Sequence, residues 1–184
     1  MKNLKLKLRN NRDYIHGTDI FNLLVRERDY NLIDLKFKKP LNYIPKFLNS
    51  KNTKDIAVDC ILKKKQIRKI FIGNSRKKIR ERYFIDENIP KKNITLTKNS
   101  IKCDYETKLT PIEILVSLTK ILHKKKFTGK KIWFFTRILL NKNFSYISRK
   151  KFKIEIEQNY KDISTVSKIY EYNKIIGLIN FTCG

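Results

Sequence analysis

The chain of 184 residues carries 43 lysines and arginines against 17 aspartates and glutamates, which gives a formal net charge of +26. This length allows one well-formed hydrophobic core or two small ones. The longest apolar run, near residues 132–140, is far shorter than the roughly 20 residues that a membrane-spanning helix needs. The cysteines Cys60, Cys103 and Cys183 are far apart and odd in number, so the sequence predicts neither a disulfide framework nor a metal site.

The N-terminal half shows the pattern of a strand, a short helix and a second strand. Residues 4–8 alternate leucine with cations, as a half-buried strand with a basic outer face does. The sequence has no apolar segment of a secretory signal here, so we expect a reducing compartment, the cytoplasm or an organelle matrix. A short helix is predicted after Gly17, with Thr18 as its N-cap. Residues 33–37 alternate again and form the second predicted strand.

The next stretch is predicted to contain a loop and a hairpin. Residues 41–54 hold Pro45 and several asparagines, which indicate an irregular surface loop. Residues 56–62 and 67–72 are apolar enough for two strands joined by a short turn. We expect the Gly-Asn-Ser at 73–75 to end the hairpin.

The C-terminal half contains the strongest helix signal of the chain. Thr110, Pro111 and Glu113 form a T-x-x-E capping box with proline at the first helical position. The apolar residues of 114–122 follow at helical spacing and predict one buried stripe. Residues 132–140 are apolar on both alternating faces, which is typical of a strand in the middle of a sheet.

Flanking strands complete this half. Residues 101–105 alternate just before the helix, and the last 35 residues read as a β-meander with no further helix. The order strand, helix, strand, hairpin therefore occurs at 4–72 and again at 101–181. We predict two β-α-β-β-β halves, 1–87 and 101–184, joined by a linker at 88–100, which can pack as a single domain.

The predicted fold class is α+β, with two helices packed on a mainly antiparallel sheet. As an order of elements, a helix wrapped by an antiparallel sheet resembles a hot-dog half, and two such halves resemble a double hot dog. The resemblance concerns element order and rests on no sequence motif.

A dense run of cations lies within residues 63–82, with apolar residues between the charges. Arginines bind phosphates through two donors at once, and neighbouring lysines add longer-range attraction. These residues are the predicted nucleic-acid contacts, and the alternative is a solvated charged hairpin. They are Lys63, Lys64, Lys65, Arg68, Lys69, Arg76, Lys77, Lys78, Arg80 and Arg82.

Two smaller basic clusters could extend such a surface. One lies at the end of the second helix, where cations also complement the negative end of the helix dipole; it comprises His123, Lys124, Lys125, Lys126, Lys130 and Lys131. The other is the run 149–151.

The polar turn before the first helix holds the candidate catalytic residues. His16 lies near Asp13 and Asp19, a set that could serve acid–base chemistry if the turn borders a cleft. The helix start that follows could also hold an anion. The alternative is that Asp13 and Thr18 only shape a turn and a cap.

Two functions follow from these patterns. The main prediction is a basic RNA-binding or ribosome-associated structural protein that contacts the phosphate backbone, with RNA or a ribonucleoprotein as its partner. The alternative is a hot-dog-like enzyme or small-ligand-binding module with a site near His16 and the helix N-termini. Its high charge would then reflect an AT-rich genome. The sequence predicts no cofactor and no metal, and it leaves enzymatic activity and oligomeric state open.

Overall fold

The computed structural model describes residues 4–25, 30–49, 54–90, 93–104, 108–127, 129, 131–141 and 151–184. These residues form two α-helices, a sheet of ten strands and a separate pair of short strands. In this part of the chain, no helix is long and apolar enough to cross a membrane.

The helices and strands are numbered in chain order. The helices are α1 (Gly17–Val25) and α2 (Pro111–Lys126). The strands are β1 (Leu8–Arg9), β2 (Leu32–Phe37), β3 (Tyr43–Leu48), β4 (Ile56–Lys63), β5 (Ile67–Lys78), β6 (Arg82–Tyr83), β7 (Ile94–Leu96), β8 (Ser100–Cys103), β9 (Trp133–Asn141), β10 (Phe152–Tyr160), β11 (Ser164–Glu171) and β12 (Lys174–Cys183).

The large sheet has the strand order β3-β5-β4-β2-β9-β12-β11-β10-β8-β7, and each neighbouring pair is antiparallel. The strands β2 and β9, each of which follows a helix, pair with each other at its centre, with Leu35 opposite Ile138. Strand β1 lies outside this sheet and pairs in parallel with β6. The prediction of an α+β fold with two helices on a mainly antiparallel, hot-dog-like sheet is confirmed.

The two sides of the sheet repeat the element order but differ in strand order. On one side the final strand, β12, lies beside the central β9, and β11 and β10 follow. On the other side β4 lies beside the central β2, and β5 and β3 follow. The segment before each helix approaches the third strand in both cases, because β8 pairs with β10 and the Leu4 N–H donates to the Pro45 carbonyl in β3.

Helix α2 begins as its sequence predicts. The Glu113 carboxylate accepts hydrogen bonds from the Thr110 backbone N–H and from the Thr110 hydroxyl, both at 2.8 Å. Pro111 occupies the first helical position, where a missing N–H costs nothing. The predicted stripe is buried, with Leu115, Leu118 and Leu122 fully inside the core. The helix ends where the Phe127 N–H donates to the His123 carbonyl.

Strand β9 is central, as its apolar composition predicts. Ile138 and Leu140 are fully buried, and they lie opposite residues of both β2 and β12. Gly177 in β12 permits this packing, since an added Cβ would lie 2.0 Å from the Leu139 carbonyl oxygen.

The predicted loop at 41–54 was wrong in part, because residues 43–48 form β3. This strand pairs with β5 alone, so Pro45 can occupy it without interrupting a ladder on both sides. The predicted break at residues 73–75 was also wrong, because β5 continues to Lys78. Gly73 permits close approach of strands here, since an added Cβ would lie 2.6 Å from the Asp55 carbonyl oxygen.

Two predictions about the start of the chain need correction. In the predicted strand at 4–8, only Leu8 belongs to a ladder, where it pairs with Arg82. Helix α1 begins earlier than expected, because the His16 carbonyl accepts hydrogen bonds from the N–H groups of Asp19 and Ile20. His16 therefore holds the N-cap position, and the Thr18 side chain is buried.

Candidate functional site

A buried arginine joins the first turns of the two helices. The pairing of β1 with β6 places Arg9 beside Tyr83, and the Arg9 side chain is only 2% exposed. Its Nη2 donates to Asp19 Oδ1 in α1 and, at 2.5 Å, to Glu113 Oε1 in α2. Its Nε donates to Tyr83 Oη at 2.8 Å. Because buried charges are costly without partners, this network fixes the two helix starts relative to each other.

Glu87 extends the network toward the turn before α1. It accepts one hydrogen bond from Arg9 Nη1 at 3.2 Å and two from Arg12, at 3.0 and 2.7 Å. Burial opposes its ionisation, but the hydrogen bonds and charge of Arg12 hold the pKa of Glu87 below its usual value. Burial raises the pKa of Asp19, against the hydrogen bonds from Tyr83 and Arg9. The turn is therefore anchored at both ends by ion pairs.

His16 lies inside this anchored turn and faces α2. Its side chain is buried, its Nδ1 lies 2.8 Å from Thr18 Oγ1, and its Nε2 lies 3.5 Å from Lys120 Nζ. Burial and the nearby cations lower the pKa of His16 to about 2, so its ring is neutral. Burial and Arg12 also lower the pKa of Lys120 to about 8. In the neutral ring, Nε2 accepts from the Lys120 ammonium, and Nδ1–H donates to the Thr18 hydroxyl.

The three predicted catalytic residues have different surroundings. His16 contacts Thr18 and Lys120, while Asp19 binds Arg9 and Tyr83. Asp13 is exposed and lines a pocket. The Asp19 backbone N–H donates to the His16 carbonyl, but no described side-chain hydrogen bond joins any two of these three residues.

A pocket of about 510 Å³ lies where the turn before α1 meets the central strands. Its lining is mostly apolar and includes aromatic rings from β2 and β9 and two lysines. The lining residues are Asp13, Tyr14, Ile15, Gly17, Phe37, Lys38, Lys39, Pro40, Leu41, Asn42, Phe134, Phe135 and Thr136.

Gly17 and two rings form the inner part of this pocket. The rings of Phe37 and Phe135 lie 5.1 Å apart and tilted. A Cβ at Gly17 would come within 2.8 Å of Phe135 and 2.9 Å of Phe37, so this position needs glycine for contact with the rings. Gly17 is also the first residue of α1, where backbone N–H groups have no partner within the helix. The pocket thus combines an apolar interior with the positive end of a helix.

The ten cations of the predicted nucleic-acid surface are all exposed but lie in two groups. One group, residues 63–69, surrounds the turn between β4 and β5. The other, residues 76–82, begins in the last three residues of β5, and Arg76 lies roughly 30 Å from Ile67 at about 3.3 Å per residue. Arg82 is held by the carbonyls of Asn10 and Arg12, so it supports the turn before α1.

The cluster predicted at the end of α2 is partly a core feature. His123 is fully buried, stacks on Trp133 with centroids 4.3 Å apart, and lies 2.8 Å from Thr165 Oγ1. Burial lowers the pKa of His123 to about 4, so this residue supplies no surface charge. Lys124 and Lys125 are exposed, as expected.

The other described cations of these clusters each contact a polar group from another segment of the chain. Lys126 binds Asn99, Lys131 donates to the Asp162 carbonyl, and Lys151 pairs with Asp104 at 2.8 Å. Lys130, Arg149 and Lys150 lie outside the described residues.

Sequence reasoning missed the residues of the buried network. Arg9 and Glu113 are 104 positions apart in the chain, as are His16 and Lys120. Arg9 is the last cation of a stretch in which leucines alternate with cations, and this pattern predicts that the cations face solvent. No neighbouring residue in the sequence therefore indicates that Arg9 is buried. Among the described residues, no group of three histidine, cysteine, aspartate or glutamate side chains could hold a metal ion.

Comparisons with known proteins identify no family. No family model matches the chain, and no curated protein matches it. Among solved structures, the chain is similar to the tesB protein of Mycobacterium avium subs paratuberculosis, with a TM-score of 0.45 and 6% identity over 97% of this chain and 90% of that one. It is also similar to a conserved protein of unknown function with a hot dog fold from Alicyclobacillus acidocaldarius, with a TM-score of 0.42 and 6% identity over 95% of this chain and 89% of that one.

The main functional prediction, an RNA-binding or ribosome-associated structural protein, is wrong. The helices and sheet adopt the hot-dog-like arrangement that the alternative requires. No contact among the described residues supports RNA or a ribonucleoprotein as a partner.

Proposed function

We propose that this chain is a hot-dog-like small-ligand-binding module or enzyme whose site is the pocket at the start of α1. The observation that carries the proposal is the meeting of an aromatic interior with a helix N-terminus in a pocket of about 510 Å³. Ligand sites are commonly apolar clefts of this size with a few polar groups that orient the ligand.

The lining indicates a ligand with an apolar body and an acidic group. Phe37, Phe134 and Phe135 offer aromatic surface to the body of the ligand. The N-terminus of α1 attracts an anion. Lys38 and Lys39 line the same pocket and carry positive charge, although the Lys38 ammonium lies 3.6 Å from Asp59 and the Lys39 ammonium donates to the Lys54 carbonyl. An acidic group directed to this side would therefore be favoured over an alcohol of the same shape.

The buried ion network supports this site without lining it. Arg9 and Arg12 fix the turn that supplies Asp13, Tyr14, Ile15 and Gly17 to the pocket, through the carboxylates of Asp19 and Glu87. Of the three residues predicted for acid–base chemistry, Asp13 lines the pocket. If the pocket is catalytic, we assign this role to Asp13, with His16 as a positioning residue.

Calorimetric titration with decanoate and decanol tests the proposal. We expect decanoate to saturate at one site and to bind more tightly than decanol, because only the acid meets the positive charge. The double variant Lys38→Gln/Lys39→Gln should reduce this preference. The matched variant Lys124→Gln/Lys125→Gln removes the same charge from exposed positions on α2 and should leave it unchanged. Absence of saturable decanoate binding would refute the proposal.

A further inference from the structure

The turn between β4 and β5 carries a cationic surface that the proposed pocket does not use. We name this surface the tip patch; it comprises Lys63, Lys64, Lys65, Ile67, Arg68 and Lys69, all exposed. We propose that the tip patch docks onto a membrane surface containing anionic lipid, with the Ile67 side chain entering the bilayer interface.

The pairing of β4 with β5 determines which side chains project together. Lys63 lies opposite Ile67, and Ile61 lies opposite Lys69. Because side chains alternate along a strand, Lys63, Ile67 and Lys69 share one face of the hairpin. This face is the one opposite to the buried Cys60 and Ile70. An aliphatic side chain is thus presented to solvent between two cations.

The backbone of this turn is held in place. Asn31 donates from its backbone N–H to the Lys63 carbonyl at 2.7 Å and from its side chain to the Lys64 carbonyl at 3.0 Å. Ile67 is nevertheless 61% exposed. A fixed turn that exposes an isoleucine offers apolar surface to a partner, since nothing within the described chain buries it.

The charge of the tip patch is uncompensated. Among the described ion pairs, none joins its five cations to a carboxylate. On β10 and β11, by contrast, Lys153 pairs with Glu155 and Lys168 pairs with Glu157. Clustered unpaired cations are attracted to the negative surface of anionic bilayers, and a shallow aliphatic insertion adds a second contribution.

A second exposed aliphatic residue lies at the same end of the sheet. Lys63 is opposite Leu32, and Leu32 is opposite Asn141. The Asn141 amide donates to the Ile175 carbonyl, and Ile175 is 46% exposed. Four strand spacings separate β5 from β12, roughly 20 Å at about 4.8 Å per strand. The end of the sheet thus exposes two aliphatic side chains, Ile67 and Ile175.

The composition of the tip patch favours lipid over single-stranded nucleic acid. Proteins that bind single strands stack bases on aromatic side chains, and the tip patch contains none. Its apolar residue is a branched aliphatic side chain, which a bilayer interface can bury.

Vesicle sedimentation with charge-matched variants tests the proposal. We expect the protein to bind vesicles of equal parts phosphatidylcholine and phosphatidylglycerol, but not phosphatidylcholine alone. Lys63→Gln/Lys64→Gln/Lys65→Gln should weaken binding about tenfold or more. Arg76→Gln/Lys77→Gln/Lys78→Gln removes equal charge from the far end of β5 and should leave binding nearly unchanged. Circular dichroism checks that both variants are folded.

A tryptophan at the tip reports insertion directly. In Ile67→Trp, brominated lipids should quench the added fluorescence, while the buried Trp133 gives the background in the unsubstituted protein. Ile67→Ser should weaken vesicle binding. Equal loss in both charge variants together with no quenching would overturn the proposal in favour of non-specific attraction. Binding to homopolymeric RNA without binding to the mixed vesicles would overturn it too.

Discussion

Asp19 and Glu113 bind the same guanidinium nitrogen, Nη2 of Arg9, although each lies in the first turn of a different helix. Carboxylates are favourable at helix N-termini, and here a cation between them cancels their mutual repulsion. The relative position of α1 and α2 therefore depends on one buried side chain from a two-residue strand.

Replacement of Arg9 by methionine should strongly destabilise the fold. The substitution leaves Asp19 and Glu113 buried without their cation, which costs about 3–5 kcal/mol in comparable cases. Urea unfolding monitored by circular dichroism measures the loss. Lys7→Met is the matched control, because the Lys7–Glu81 pair is largely exposed and should contribute little to stability.

A rescue variant separates charge from packing at this site. Arg9→Met/Asp19→Asn/Glu113→Gln removes the uncompensated charges along with the cation, and it should recover part of the lost stability. If the single and triple variants are equally unstable, the ion pairs are not what Arg9 contributes.

Stability should fall as the pH decreases from 7 to 5. The pKa of His16 is lowered to about 2 and that of His123 to about 4, whereas an unfolded histidine titrates near 6.5. The unfolded chain therefore binds more protons in this range. Two such groups give a slope of roughly 2.7 kcal/mol per pH unit well below pH 6.5, and the average between pH 7 and 5 is roughly 2 kcal/mol per unit. The raised pKa of Asp19 acts in the opposite direction at lower pH.

Urea unfolding at several pH values measures this slope. His16→Gln/His123→Gln should flatten it, because glutamine takes up no proton in either state. A slope between pH 7 and 5 that is the same in both proteins would show that the histidines are not the groups responsible.

Gly17→Ala should weaken ligand binding more than it weakens the fold. The added methyl group would displace Phe37 or Phe135 into the pocket, since the Cβ would lie within 2.9 Å of both rings. Overpacking of this kind commonly costs about 1–3 kcal/mol. Decanoate titration and urea unfolding of the same variant measure the two effects. Unchanged decanoate affinity would place the ligand elsewhere.

One of the three thiols should react readily in the folded protein. Cys60 and Cys103 are buried, and burial with the nearby Asp34 raises the pKa of Cys60 to about 12. Cys183 is partly exposed. Labelling with an aromatic disulfide reagent at pH 8 should therefore release one equivalent quickly and two more only in urea. Fast reaction of Cys183→Ser would contradict the burial of the other two.

Local patterns predicted the parts of the fold that depend on neighbouring residues. The capping box of Thr110 and Glu113 and the apolar run of β9 both reflect interactions within a few positions of the chain. Strand β3 was missed because Pro45 and the neighbouring asparagines indicate a loop, and only pairing with β5 makes it a strand. The prediction that the strand ends at Gly73 was wrong for a related reason. This glycine lets neighbouring backbone segments approach each other closely, and the strand continues through it.

The candidate site was harder to predict, because its residues meet through tertiary contacts. Nothing local distinguishes Arg9, which is buried, from Lys7, which is exposed. His123 was grouped with surface lysines by position, although stacking on Trp133 places it in the core. Net charge misled the functional prediction, because composition does not reveal where charges lie. The two cation groups of β5 show this, since they lie at opposite ends of one strand.

The two helices begin in unlike ways, and this has a consequence for binding stoichiometry. At the N-terminus of α2 the Glu113 carboxylate accepts a hydrogen bond from the Thr110 N–H, whereas α1 begins at a glycine beside a pocket. In an assembly of identical subunits, symmetry would repeat one site in every copy. Because a single chain supplies both central strands here, its two helix starts can differ. We therefore expect one ligand for each chain and a binding curve without cooperativity.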